Sequence, residues 1–420
     1  MRPVQRRVAL LLLAVISVNA SYTVLIPFVP DLEDRVSAGS TVIALTFALF
    51  AAAKMLVQPL GGWWVDRWRP GHVALVSLII AAAGMVLTAV AVDPMTLLAG
   101  RVLWGVGEGL VSPALYAGML ALCVHDGIST NRMMGNFGSA AVGGLLLGPL
   151  VAGVAAPVGI EALFLAGAAI TVVTAFGLLQ AIPNASPAVP EGPEPDASAT
   201  ASADGAVARR WWVGVLLLGG LDMFTALIYS ALEPVLPLYL ATGQESSPRA
   251  AISLVFVVGL ATSGLSLWVL GRYTGRARLV RLLGIGLPFL AVGLAGMALS
   301  AAVAPVMACF VVFMVGYALL FLTARRGIIE LKAATTHQGK AFGLFGMVSD
   351  VGNIVGPIVG VMLYEVTGRL SFVLLGALSG LLLTAAAAAL RRTSGFQPST
   401  SAHPAPRREA AELVAPEPVA

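Results

Sequence analysis

The amino-acid sequence predicts an all-α polytopic membrane protein, with twelve transmembrane helices arranged as two pseudo-symmetric six-helix bundles. Hydrophobic residues make up 58% of the chain and charged residues only 11%, whereas a typical soluble domain carries about 25% charged residues. Apolar runs recur along the chain, and a run of about 20 such residues can span a bilayer as a helix. Short patterns also repeat between the two halves of the chain.

The apolar runs are separated by short polar or charged turns, which set the limits of the predicted spans. The twelve spans are residues 8–30, 41–65, 72–92, 95–122, 133–156, 161–182, 211–240, 250–270, 280–302, 304–323, 342–366 and 370–390. The chain then divides into an N-terminal half (1–182), a linker (183–210), a C-terminal half (211–392) and a tail (393–420). The linker and the tail are rich in Pro and Ala and lack apolar runs, which predicts disorder.

Two repeated patterns support the division into halves. The sequence Ile-Pro-Phe-Val-Pro at residues 26–30 returns as Glu-Pro-Val-Leu-Pro at residues 233–237, and Gly148-Pro149 returns as Gly356-Pro357. The two offsets differ by one residue, so the first span is the counterpart of the seventh. We therefore expect the first span to belong to the fold, as in transporters with parallel repeats, rather than to a cleaved signal peptide.

Positive charge is distributed unequally between the predicted loops. Twenty of the 25 Lys and Arg residues fall on the side of the N-terminus and three on the other side, while Lys54 and Arg101 fall inside spans. Because positively charged loops stay in the cytoplasm, we predict a multi-pass protein of the plasma (inner) membrane with both termini cytoplasmic. The net charge of +4 then reflects topology, and we expect no binding to nucleic acid.

A charged turn between the second and third spans carries the pattern G-x-x-x-D-R-x-R. Its members are Gly62, Asp66, Arg67 and Arg69, and we place the three charged residues in a very short cytoplasmic loop. The pattern resembles the loop signature of the major facilitator superfamily. This resemblance implies the family's two-bundle fold and a gate, in which Asp66 approaches the positive N-terminal end of the eleventh span.

Two further motifs resemble signatures of the same family. Residues 98–107, which include Arg101, resemble the fourth-span motif whose Arg is linked to proton transfer. Residues 144–153 resemble the fifth-span motif typical of antiporters. Small residues let helices approach closely and Pro bends a span, so we assign a gating role to Gly144, Gly148 and Pro149. The resemblance as a whole covers residues 8–390.

Ionisable side chains inside spans indicate function, because charge is costly in a bilayer. The sequence has six of them: Lys54, Arg101, Glu108, Asp222, Glu233 and Asp350. Four fall near mid-membrane, whereas Arg101 and Glu233 lie toward the outer side. We predict that proton coupling involves Asp222, Glu108, Asp350, Arg101 and Lys54. A static ion pair between Arg101 and Glu108 is the structural alternative.

Helical spacing selects candidate substrate ligands near these charges. Residues seven or eleven apart return to nearly the same helix face, so Asp222, Tyr229 and Glu233 share one face of the seventh span. The predicted substrate ligands are Asn19, Tyr22, Gln58, Tyr229, Glu233 and Asn353. The Asn residues could equally form hydrogen bonds between helices, and the Tyr residues could equally serve in packing.

The second span carries a more specific pattern, Lys54-x-x-x-Gln58. It resembles the pattern found there in vesicular monoamine transporters and in their bacterial drug-exporting relatives. That resemblance implies an ion pair between the Lys and an Asp of the eleventh span, for which Asp350 is the candidate.

These observations predict a proton-coupled antiporter that exports a small amphipathic, cationic organic compound or drug. Its partners would be this substrate, protons and the lipid bilayer, and we expect a monomer. A proton-coupled symporter for a sugar or an organic acid, and an exporter of an endogenous metabolite, are the alternatives. A membrane enzyme or a receptor is a weaker alternative. The four His residues show no ligand spacing, so we expect no metal, no cofactor and no enzymatic activity.

Overall fold

The computed structural model describes residues 3–37, 39–155, 158–183, 211–242, 248–273, 279–299, 301–330 and 338–392. Residues 184–210 of the predicted linker and the whole predicted tail lie outside these ranges. Within them the chain is helical and forms no β-strand. The helices are α1 (Pro3–Thr23), α2 (Val29–Arg35), α3 (Ser40–Arg67), α4 (Pro70–Ala89), α5 (Pro94–Asp126), α6 (Thr130–Val154), α7 (Ile160–Ala181), α8 (Trp211–Thr242), α9 (Pro248–Tyr273), α10 (Leu279–Met297), α11 (Val303–Glu330), α12 (Gln338–Thr367) and α13 (Leu370–Arg392).

The predicted number of spans is confirmed in the described part of the chain. Ten helical segments are long and apolar enough to cross a membrane, and two shorter apolar helices, Arg281–Met297 and Leu370–Ala385, complete the twelve. The first span differs from its prediction, because α1 ends at Thr23 and is followed by a 3₁₀ turn, Ile26–Phe28, and by α2. Pro27 lies inside that turn, and a proline there cannot donate the hydrogen bond that would continue the α-helix.

Local sequence sets the limits of the long helix α5. Asp93 caps its start, since Asp93 Oδ1 accepts a hydrogen bond from the Thr96 backbone N–H at 2.9 Å and Oδ2 one from the Thr96 hydroxyl at 2.6 Å. These hydrogen bonds hold the pKa of the Asp93 carboxyl below its usual value. Gly127 ends the helix with a φ of 64°, a left-handed conformation that glycine adopts without steric cost.

Equivalent glycines bring helices into contact in both halves. A Cβ at Gly148 on α6 would lie 2.1 Å from Thr23 Oγ1 on α1, and a Cβ at Gly356 on α12 would lie 2.1 Å from Ser230 Oγ on α8. Both hydroxyls donate across the contact, Thr23 to Leu145 O at 3.0 Å and Ser230 to Gly352 O at 3.1 Å. The repeated Gly-Pro motif thus marks equivalent helix crossings, where only glycine leaves room for the facing backbone.

The two halves meet along two pairs of helices, α3 with α12 and α6 with α9. Because successive spans alternate in direction, the molecule has two ends, which we name after Asp31 and Asp66. Side chains join the halves toward the Asp31 end. Arg249 on α9 pairs there with Asp31 on α2, with Nε 2.7 Å from Oδ2, and Tyr22 bonds to Glu233.

The charged turn of the N-terminal half differs from its prediction. Asp66 and Arg67 form the last turn of α3, so that only Trp68 and Arg69 connect α3 to α4. The connection is this short because Pro70 starts the next helix, and proline at a first helical position needs no hydrogen-bond partner for its nitrogen. The predicted loop is therefore reduced to two residues.

Candidate functional site

In the N-terminal half, Lys54 pairs with Glu108 near the middle of the membrane-spanning region. Lys54 Nζ on α3 donates to Glu108 Oε2 on α5 at 3.2 Å. The helices approach closely here because a Cβ at Gly109 would lie only 2.5 Å from Lys54 O. The Glu108 side chain is 3% exposed, whereas that of Lys54 is 39% exposed. The Glu108 carboxylate is thus buried, and its partner Lys54 is the more exposed member of the pair.

In the C-terminal half, Asp222 has a comparable environment. Its Oδ2 accepts a hydrogen bond from the Ser349 hydroxyl on α12 at 2.7 Å and lies 3.5 Å from Arg325 Nη2 on α11. Ser349 reaches Asp222 because α8 and α12 are in contact at Gly352, where a Cβ would lie 2.1 Å from Met223 O. The Asp222 side chain is 3% exposed and that of Arg325 is 51% exposed. Here too a buried carboxylate is paired with a more exposed cation.

Asp350 lies between these two pairs. It is half-buried, its Oδ1 accepts a hydrogen bond from the Asn353 amide at 3.3 Å, and Lys54 and Arg325 both act on it electrostatically. The structure therefore pairs Lys54 with Glu108 and not with Asp350, because α3 packs closely on α5. We name this group of five charged residues, which both halves supply, the central cluster: Lys54, Glu108, Asp222, Arg325 and Asp350.

A second polar group lies closer to the Asp31 end. The Tyr22 hydroxyl on α1 donates to Glu233 Oε2 on α8 at 2.6 Å. Arg101 is fully buried, with its guanidinium 4.3 Å from the Phe50 ring centroid and 4.7 Å from that of Trp104. Arg101 Nε donates to Thr46 O at 3.1 Å. We name Tyr22, Arg101 and Glu233 the Tyr22 cluster.

The buried Arg101 side chain keeps unused hydrogen-bonding capacity. Neither Nη1 nor Nη2 has a hydrogen-bond partner among the described residues. The static pair of Arg101 with Glu108, considered from the sequence, does not form, since the Glu108 carboxylate contacts Lys54. Arg101 interacts electrostatically with Tyr22, with Glu108 and with Glu233, without forming an ion pair with Glu108.

Aromatic side chains connect the Tyr22 cluster to the central cluster, from Tyr229 on α8 to one face of α11. The rings of Tyr229 and Tyr317 lie 5.0 Å apart, those of Tyr317 and Phe321 lie 5.9 Å apart, and the Arg325 guanidinium lies 4.1 Å from the Phe321 ring centroid. Tyr317, Phe321 and Arg325 follow each other at intervals of four residues, so they share one helix face. All three are at least partly exposed.

The other predicted substrate ligands differ in their surroundings. The Asn19 amide donates to Val15 O of its own helix at 2.8 Å, which favours the structural interpretation of that residue. Gln58 is half-buried one turn from Lys54 on α3. Asn353 contacts Asp350 as described above. Gly144 and Gly148 lie at the contact of α1 with α6, inside one half.

Among the described residues, no ion pair or hydrogen bond joins the predicted gate residues to the C-terminal half. Asp66, Arg67 and Arg69 are all exposed. The Arg67 guanidinium lies 4.0 Å from the ring centroid of Trp63 on its own helix. A Cβ at Gly62 would meet no atom of the described residues within 4 Å. Within the described ranges, these residues thus form no side-chain contact that joins the two halves at the Asp66 end.

Sequence reasoning missed Arg325, Ser349 and the pair formed by Asp31 and Arg249. The four-residue spacing from Tyr317 through Phe321 could have placed Arg325 on a functional face, since the residue follows directly after an apolar span. No comparable signal marks Asp31 and Arg249, which are 218 residues apart in sequence.

A family model described as Major Facilitator Superfamily matches residues 11–325 and, in a second overlapping match, residues 223–418. Multidrug resistance protein 1 of Bacillus subtilis (strain 168) is 24% identical over 349 residues, which cover 81% of this chain and 85% of that protein. Tetracycline resistance protein, class E, of Escherichia coli is 25% identical over 333 residues, covering 76% of this chain and 78% of that protein.

Solved structures share the fold at low sequence identity. The nucleoside transporter NupG superposes with a TM-score of 0.74 at 13% identity, covering 93% of this chain and all of that one. A bacterial homologue of the human lysosomal transporter Spinster, in an inward-facing and unoccupied conformation, superposes with a TM-score of 0.70 at 14% identity, covering 92% and 96% of the two chains.

Proposed function

Because the chain belongs to the major facilitator superfamily, we propose that it is a proton-coupled antiporter that exports a small amphipathic organic compound or drug across the plasma membrane. Relatives that match most of its length are named for multidrug and tetracycline resistance, which supports export. The observation that carries the proposal is the central cluster, where three carboxylates and two cations from both halves share the region between them.

The region of the central cluster has an aromatic surface and a charged surface, which suit the two parts of an amphipathic compound. The rings of Tyr229, Tyr317 and Phe321 offer an aromatic wall for its apolar part. Asp350 is the partly exposed acid beside that wall, and its described contact is with the neutral amide of Asn353. We therefore assign to Asp350 the first contact with a cationic group of the substrate, at one end of the aromatic wall.

Coupling then follows from competition for the same carboxylates. Protonation of Glu108 or Asp222 releases Lys54 or Arg325 and adds one positive charge to the cluster, which disfavours a cationic substrate nearby. Loss of the proton restores the negative charge and the ion pairs. Because a site that binds substrate and proton in alternation links their two fluxes, a proton gradient can drive export.

The charge distribution of the loops supports a cytoplasmic Asp66 end. Because the gate residues are exposed and contacts bridge the Asp31 end, we assign this conformation as open to the cytoplasm and closed to the outside. Substrate would enter the central cluster from the cytoplasm and leave after the Asp31 end opens. We propose that one chain is sufficient for this cycle, because both sides of the central cluster come from the same chain.

The decisive experiment measures transport in proteoliposomes under an imposed pH gradient, with tetracycline and the aromatic cation ethidium as probes. We expect Asp222→Asn to lower gradient-driven transport by roughly tenfold or more, within the range of coupling between linked sites. Counterflow of probe against probe, without a gradient, should persist because the aromatic wall is intact. Asp34→Asn neutralises an exposed acid outside both clusters and serves as the matched control, with wild-type rates.

Three other results would change or contradict the proposal. Gradient-driven transport that persists in Asp222→Asn would move the coupling role to Glu108 or Asp350. Persistence in all three single neutralisations would exclude coupling through carboxylates of the central cluster. Probe uptake along with the proton would instead establish a symporter.

A further inference from the structure

Arg325 fills a position in the central cluster whose chemistry suits the cationic group of a ligand. We infer that its guanidinium is a resident cation, held by Asp222 and by the ring of Phe321, and that a cationic group of the substrate gains this position by displacing it. Arg325 is then a specificity-determining residue, because only a cation that competes with a guanidinium reaches Asp222. The inference rests on the proposed function for the class of substrate, whereas the position itself can be probed with a small cation.

The first step of the argument is the pair of groups that contact the guanidinium. Arg325 Nη2 lies 3.5 Å from Asp222 Oδ2 on α8, and the guanidinium carbon lies 4.1 Å from the ring centroid of Phe321 on the same helix. A carboxylate attracts an organic cation by its charge, and an aromatic face does so through a cation–π interaction. The same two groups would therefore attract a cationic ligand if the arginine moved away.

The second step is that the carboxylate is fixed while the guanidinium is held weakly. The side chain of Asp222 is 3% exposed and that of Arg325 is 51% exposed. Their separation of 3.5 Å is longer than a usual N–H···O hydrogen bond of about 2.7–3.2 Å, whereas the Ser349 hydroxyl donates to Asp222 Oδ2 at 2.7 Å. Because an ion pair with an exposed member contributes little, Arg325 can leave while Ser349 still orients the carboxylate.

The third step is the place of Arg325 on the route of entry. Successive spans alternate in direction, so α11 runs toward the Asp66 end and Arg325 lies one turn closer to that end than Phe321. A ligand that enters from the Asp66 end, as proposed above, meets the exposed guanidinium before the buried carboxylate of Asp222. The ring of Tyr317 follows that of Phe321 at 5.9 Å. Displacement of Arg325 therefore exposes one end of the aromatic wall together with Asp222.

The displaced guanidinium has a second carboxylate within reach of its charge. Asp350 on α12 is half-buried, and Arg325 acts on it electrostatically. A movement of Arg325 from Asp222 toward Asp350 exchanges one carboxylate for another, so that its positive charge stays compensated. A substrate that first contacts Asp350 and then passes to Asp222 would thus exchange places with the arginine.

The other ion pair of the central cluster has a different arrangement. Lys54 Nζ donates a hydrogen bond to Glu108 at 3.2 Å, and it lies 6.0 Å from the ring centroid of Phe50, which is the limit of a cation–π interaction. Lys54 is therefore bound to its carboxylate directly and is not held against an aromatic face. The contacts thus assign the resident cation to Arg325 and not to Lys54.

The first measurement asks whether the position accepts a free cation. Ethylguanidinium, which is the arginine head group without its tether, should fill the position in purified Arg325→Ala and raise the temperature of thermal unfolding by roughly 1–2 °C at saturating millimolar concentration. Wild type should show no such rise, because its position is occupied. Arg325→Ala combined with Asp222→Asn should show none either, and the neutral analogue N-ethylurea should have no effect. A pH of about 8 is used, because a buried carboxylate without a counter-charge tends to bind a proton instead.

The second measurement asks whether Arg325 competes with a larger cation. A ligand binds with an affinity reduced by the fraction of molecules in which its position is free, so Arg325→Ala should bind ethidium roughly threefold to tenfold more tightly than wild type in fluorescence polarisation. Ethylguanidinium should weaken ethidium binding to Arg325→Ala and leave that of wild type unchanged. Arg369→Ala removes an exposed positive charge from the connection between α12 and α13, and it serves as the matched control with wild-type affinity.

The inference is overturned if ethylguanidinium stabilises folded Arg325→Ala no more than wild type, or if the stabilisation survives Asp222→Asn. Ethidium binding to Arg325→Ala that is unchanged or weaker overturns displacement equally. Elution as a folded monodisperse protein qualifies each variant, and Arg325→Gln replaces Arg325→Ala under the same criteria if the latter does not fold. If ethidium binds to none of these proteins, the proposed class of substrate fails, while ethylguanidinium still decides the inference.

Discussion

The Asp31 end and the Asp66 end of the molecule contrast in how they join the two halves. At the Asp31 end, Arg249 pairs with Asp31 and Tyr22 bonds to Glu233, each across the boundary between the halves. At the Asp66 end, Asp66 and Arg67 are exposed. The halves are themselves built alike, with glycine crossings of equal closeness. The difference between the ends therefore arises between the halves and not within them, and the proposed exchange requires the two ends to alternate.

The largest effect is expected from locking the Asp31 end. Gly153→Cys with Ser253→Cys would place two thiols across the boundary between the halves, with Cβ atoms 2.8 Å apart, closer than a disulfide requires. A shift of about 1 Å would allow the bond to form. The oxidised double variant should lose transport entirely, because this end can no longer open.

Reduction should restore transport in the same sample, and each single variant should be insensitive to oxidant. Unchanged transport by the oxidised double variant, with the cross-link confirmed by mass spectrometry, would show that the Asp31 end need not open. The contrast between the ends would then be a fixed feature of the fold.

A smaller effect is expected at the other end. Asp66→Asn removes the charge that we propose to meet the N-terminal end of α12 when the Asp66 end closes. Interactions of this kind contribute about 0.3–1 kcal/mol, so the exchange rate should fall roughly twofold to fivefold while the protein remains folded. If a Ser253→Cys variant is labelled with a membrane-impermeant maleimide, adding Asp66→Asn should slow the labelling by the same factor. The slower labelling would show that fewer molecules have their Asp31 end open.

Asp66→Glu, which keeps the charge, is the matched control and should retain most of the activity. A wild-type exchange rate in well-folded Asp66→Asn would show that this residue is not part of the gate.

The smallest effect is expected inside the halves. Thr23→Ala and Ser230→Ala each remove a hydroxyl that bonds across an equivalent helix crossing. Hydrogen bonds between membrane helices contribute about 0.6 kcal/mol on average, so each variant should lower the free energy of unfolding slightly and by a similar amount. Thermal unfolding in detergent measures this. Thr23→Ser keeps the hydroxyl and should behave as wild type.

A clearly larger loss in one half than in the other would mean that the repeated Gly-Pro motif does not mark equivalent contacts. The asymmetry between the ends would then begin within the halves. Equal small losses would support rigid halves that move against each other.

The charges inside the spans illustrate how far the sequence leads toward the site. Lys54, Glu108, Asp222 and Asp350 were selected because charge in a bilayer is costly, and the structure places all four in the central cluster. Their partners were not predictable, because pairing depends on the rotation and tilt of each helix. Lys54 contacts Glu108 of α5 since Gly109 lets those helices approach, and Arg325 was assigned to a loop although it reaches Asp222.

The sequence by itself determined the membrane environment, the twelve apolar helices and the two-fold repeat, because apolar length and small-residue spacing act locally along the chain. It also marked the buried charges. Only the tertiary structure decided which charges meet, and that the ion pair and the hydrogen bond described between the halves lie toward the Asp31 end. The contacts between the halves join residues more than 200 positions apart, as in Tyr22 with Glu233 and Asp31 with Arg249, and they depend on a placement of the halves against each other that no local pattern encodes.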